Sequence, residues 1–139
     1  MLMKLFRLLL LLILAGSVGC QEKQKTPAQL KQELLFSEMA EAKKYVKIEN
    51  AKMTEDNHLF KKDEVVVTGT VISTASVAKF KDIKYQVVFY SKTNTRIDQK
   101  DFVIYEFLQP GGTLQLNARM IPPKAYESFN VFITDVKPG

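Results

Sequence analysis

From Tyr45 onward the apolar residues recur at every second position, and this alternation constrains the fold more than any other feature of the chain. A period of two places successive side chains on opposite faces of an extended strand. Val65, Val67, Gly69 and Val71 then share one face, with Val66, Thr68, Thr70 and Ile72 on the other. Ile83, Tyr85, Val87 and Phe89 alternate in the same way with Lys84, Gln86, Val88 and Tyr90. Further strands are predicted over Val46 to Met53, Asp101 to Phe107, Thr113 to Met120 and Ser128 to Val136. Ser91 to Asn94, Pro110-Gly111-Gly112 and Pro122-Pro123 supply the turns. No helical pattern interrupts these strands, so they pair antiparallel. The expected fold is mainly β, an antiparallel immunoglobulin-like β-sandwich of six or seven strands occupying residues 45–139, with Phe89, Phe102 and Phe129 between the sheets and Phe132 either there or on the opposite face with Val66 and Val88. A chain with one cysteine and no tryptophan lacks the disulfide and the buried indole of antibody domains.

Ahead of the strands, Thr26-Pro27-Ala28-Gln29 has the form of a helix start. Threonine caps, proline takes the first helical position and glutamine closes the box. A helix is expected over residues 27–44, with Leu35, Met39, Ala42 and Val46 forming a stripe that docks on the chain's own sheet. Residues 1–19 read as a signal peptide: Lys4 and Arg7 supply charge, and the apolar run that follows is too short to span a bilayer before Gly16, Ser17 and Gly19. Ser17-Val18-Gly19-Cys20 resembles the lipobox of bacterial lipoproteins, with serine where leucine is commonest, as in Bacteroidetes-type lipoproteins. The resemblance implies lipidation of Cys20, with residues 20–26 as a tether. The partner would then be membrane lipid, and the place the cell envelope, at the outer membrane of a Gram-negative bacterium.

Loss of Lys4 and Arg7 reduces the formal charge from +5 to +3, and the remaining lysines are scattered. A nucleic-acid footprint is therefore not expected. One histidine, His58, and one cysteine leave no multi-histidine or cysteine-rich metal set and no cofactor motif. Glu55, Asp56, Asp63 and Glu64 fall in turn-like polar segments, so solvated turn residues are expected there and no catalytic pair.

The segments Gly69-Thr70-Val71, Phe80-Lys81-Asp82-Ile83, Val87-Val88-Phe89-Tyr90-Ser91 and Leu108-Gln109-Pro110-Gly111 together resemble the FxLYD domain family of small surface β-sandwiches. The likeness covers roughly residues 64–135, keeps strictly only the tyrosine of the defining motif, and implies no catalytic residues. Val88, Tyr90, Tyr105 and Phe107 fall opposite the expected core and mark a candidate interaction surface, unless the helix covers them. The expected function is a non-catalytic, membrane-anchored binding or accessory module that contacts another envelope protein or a surface polysaccharide. A small-ligand or metal carrier is the alternative, and an envelope enzyme a more distant one.

Overall fold

The computed structural model describes residues 19, 22–55 and 63–139. Residues 1–18 of the expected signal peptide, Cys20, Asp56 and His58 lie outside the described residues. The chain divides into two compact units, Met1–Leu30 and Lys31–Gly139, and the second holds every strand among the described residues.

Helix α1 spans Pro27–Ala40 and a short 3-10 turn covers Ala42–Tyr45. The cap forms as its sequence dictates: the Thr26 N–H donates to Gln29 Oε1 at 3.0 Å, and the Gln29 N–H to Thr26 Oγ1 at 3.3 Å. The helix ends four residues earlier than its apolar stripe suggests. Ala42 and Val46 are buried from the 3-10 turn and the first strand, not from α1. A stripe at helical spacing was thus shared among three elements.

Six strands follow: β1 (Val46–Glu55), β2 (Val65–Ser73), β3 (Phe80–Tyr90), β4 (Arg96–Ile104), β5 (Thr113–Met120) and β6 (Ser128–Pro138). They form two antiparallel three-stranded sheets, ordered β1-β2-β5 and β4-β3-β6. The order matches strands A-B-E and C′-C-F of an immunoglobulin-like sandwich, with no counterpart of strand G among the described residues. The inner faces are those the alternation assigns. Val65, Val67 and Val71 of β2 pack in one core with Ile83, Tyr85, Val87 and Phe89 of β3.

One expected boundary is corrected and one open assignment is decided. The fourth strand runs over Arg96–Ile104, not Asp101 to Phe107, because the tight turn at Ser91 to Thr95 starts β4 directly opposite β3. The chain leaves β4 after Ile104 and returns at Leu108, whose N–H and C=O both pair with Phe80 at 2.9 Å. Of the two faces open to Phe132, the structure takes the outward one. Phe132 pairs with Gln86, which faces outward on β3, and is 42% exposed.

The turn between β4 and β5 has its chemistry set locally. The Gly112 N–H donates to the Gln109 carbonyl at 2.9 Å, with Pro110 next and Gly111 at φ 65°. Proline supplies the first turn dihedral, and glycine takes the left-handed one without strain.

Tyr85 stacks on Phe102, with ring centroids 5.4 Å apart, inside the core. Burial pushes its phenol from 10.0 up to about 12. Its folded pKa is raised, so the neutral form's stabilisation is complete below about pH 10 and is lost as pH rises towards 12. An ultraviolet difference titration should show a late tyrosine step near pH 12, and Tyr85→Phe should remove it.

Candidate functional site

The sheet register arranges side chains across the outer face of β4-β3-β6. Asp101, Gln86 and Phe132 lie side by side, because Gln86 pairs with Asp101 on one flank and Phe132 on the other. Gln86 is held by both of its amide atoms: Nε2 donates to Asp101 Oδ1 at 2.8 Å, and Oε1 accepts from Arg96 at 2.6 Å. A fixed row of polar groups thus meets an exposed aromatic ring. Such a surface offers a flat apolar contact beside oriented donors and acceptors.

The four residues expected to form an interaction surface do not form one. Val88 is on the outward face but only 1% exposed, since β3 is the central strand and Gln99 and Asn130 flank Val88 on its two neighbours. Tyr90 is half-buried at the last paired position of the same strand. Tyr105 and Phe107 are exposed, but they lie beyond the end of β4 and not on the sheet face. Phe107 carries the Lys79 ammonium 4.4 Å from its ring centroid.

Glu38 is the most unusual charged group of the domain, and its importance was not read from the sequence. It sits on the buried side of α1 at 1% exposure. Its Oε1 accepts the Ser76 N–H at 2.7 Å, while Oε2 accepts those of Val77 at 2.9 Å and Ala78 at 2.7 Å. Burial opposes ionisation, but the three donors from Ser76, Ala78 and Val77 prevail and hold the carboxyl below its usual value. The carboxylate fastens the later part of α1 to the β2–β3 connection. One signal was available: Glu38 interrupts the spacing of Leu35, Met39 and Ala42 on their own side of the helix.

An open cleft of about 320 Å³ lies between the end of α1 and β6, lined by Met39, Glu41, Lys43, Lys44, Asp135 and Val136 among others. The Lys44 ammonium there is paired with Glu41. Glu55 and Asp63 are exposed at the two sides of the β1–β2 connection. No group of three metal-binding side chains occurs among the described residues, and no described helix is long and apolar enough to cross a membrane.

No protein-family model matches the chain. No curated protein matches it either. Among solved structures, the chain is similar to the crystal structure of a DUF1425 family member from Shewanella sp. pv-4. The sequences are 14% identical, the TM-score is 0.44, and the match covers 65% of this chain and 77% of that one.

Proposed function

We propose that the chain is an envelope lipoprotein of FxLYD-like, Bacteroidetes type, anchored through lipid on Cys20 at the outer membrane, whose sandwich serves as a non-catalytic binding or accessory module. The observation that carries the binding role is the outer row of β4-β3-β6. Phe132 stands 42% exposed beside Gln86, whose amide is fixed from both ends by Asp101 and Arg96. A side chain with its rotamer already fixed loses little entropy on binding, which suits recognition more than solvation. The mixture of one aromatic face with planar polar groups fits a surface polysaccharide or a polar patch on another envelope protein.

The anchor has its own support. Cys20 is the chain's only cysteine and falls where a short apolar run gives way to a polar tether. Two or three acyl chains would hold the protein durably, each buried methylene contributing about 0.8 kcal/mol. Metabolic labelling with palmitate and fractionation of cells test this. The natural chain should carry label and sediment with membranes, and Cys20→Ser should lose the label and move to the soluble fraction. Unchanged membrane retention of Cys20→Ser would refute the anchor. For the binding role, crosslinking in cells should return a partner that Phe132→Ser loses; the same partners at the same yield from both proteins would reject this face.

A further inference from the structure

We propose that the end of the sandwich bearing Tyr105, Phe107 and Lys79 rests on the surface of a phospholipid bilayer. The inference rests on the Cys20 anchor and adds to it a second, non-covalent contact that sets the orientation of the domain.

Tyr105 is 80% exposed and Phe107 53% exposed, where the chain has left β4 and not yet reached Leu108. The Lys79 ammonium lies over the Phe107 ring, so an apolar face and a cation occupy one spot. Tyrosine and phenylalanine rings fit the headgroup layer, where the ring meets acyl chain and the hydroxyl stays wet. A lysine ammonium beside such rings is also within reach of lipid phosphate.

Connectivity places this spot at the end from which the chain is tethered. Ser76, Val77 and Ala78, which bind Glu38 of α1, immediately precede Lys79 in the chain. The Lys79 carbonyl in turn accepts the Gly139 N–H at 2.7 Å. Phe107, through Lys79, and the helix that leads back to the anchor thus both attach to the short segment between β2 and β3. Cys20 stands so few residues ahead of Lys31 that the intervening chain reaches no more than about 40 Å even when fully extended. A lipid on Cys20 therefore tethers the domain through the helix that attaches at this end. The exposed Lys43 adds positive charge to the elements gathered there and Glu106 opposes it, while Lys137 is paired with Asp82 and Lys44 with Glu41. The contact is therefore chiefly aromatic, with a modest preference for anionic lipid.

The chain contains no tryptophan, which allows single-reporter variants. Tyr105→Trp places the reporter in the proposed contact, and Phe132→Trp places one on the middle of the outer sheet face. Both positions are exposed, so neither change disturbs the core. The full lipidated proteins are reconstituted in vesicles of phosphatidylcholine and phosphatidylglycerol with brominated acyl chains. Flotation reports the anchor, and quenching of the indole by bromine reports the contact. Both variants should float, and the indole at 105 should be blue-shifted and quenched severalfold more than that at 132. Flotation with equal, weak quenching at both positions would overturn the inference and leave the anchor standing. Failure to float would overturn the anchor and the inference with it.

Discussion

Phe80→Ala should lower the stability of the domain by about 3–5 kcal/mol, the range for removing a fully buried phenylalanine side chain. Phe80 is 0% exposed and among the largest side chains wholly inside the core. It also sits where three segments meet: it opens β3, pairs with Pro138 of β6, and exchanges both backbone hydrogen bonds with Leu108. The backbone bonds survive the substitution, so the loss is that of the ring and of the cavity left behind. A domain of this size has about 5–15 kcal/mol in total, so the loss is a large share of it. Urea unfolding checks this, and the midpoint should fall by about 1 M or more at an ordinary denaturant slope. Phe132→Ala removes the same atoms from an exposed position and should change stability by no more than about 1 kcal/mol. Equal losses from the two variants would contradict the assignment of faces on β3 and β6.

Glu38→Ala should cost about 3 kcal/mol, because it strips a charged acceptor from three backbone N–H groups that have little access to water. Glu38→Gln keeps the volume but turns one acceptor into a donor facing other donors, so it too should destabilise. The decisive readout is the pH dependence. The carboxyl of Glu38 is lowered from 4.5 in the folded protein, so its contribution is complete above about pH 4.5 and is lost as pH falls through the folded value. Urea midpoints measured from neutral pH down to about pH 3 should decline for the natural protein, and the decline should be shallower in Glu38→Gln. Parallel pH profiles for the two proteins would show that Glu38 is not held as a carboxylate by Ser76, Val77 and Ala78.

These two residues were unequally legible. Phe80 belongs to a segment whose alternation is plain, although the strand begins three residues before the predicted Ile83. Glu38 stands four residues from Ala42 in a stripe that reads as apolar, and nothing nearby in the chain supplies its partners. They come from Ser76 to Ala78, about forty residues away. The outer row was hidden in the same way. Phe132 joins Gln86 and Asp101 only through register, and a shift of one residue in any of the three strands would separate them.

The sequence by itself determined what depends on neighbours in the chain. Alternation specified β2, β3 and β5, because a strand buried on one face must repeat its apolar residues every second position. Thr26 and Gln29 specified the start of α1, and Pro110 with Gly111 the turn before β5, because caps and tight turns are satisfied by their own side chains and dihedrals. The tertiary structure decided the rest. It placed β4 as an edge strand, where burial is slight and the pattern correspondingly weak, so the sequence located it five residues late. It buried Val88 under the side chains of two flanking strands, left Tyr105 and Phe107 outside the sheet, and gave Glu38 its three donors. Each of these is a matter of which distant segments meet, and such meetings are selected by the total area and hydrogen bonding of the whole sandwich, a quantity that no local window of residues contains.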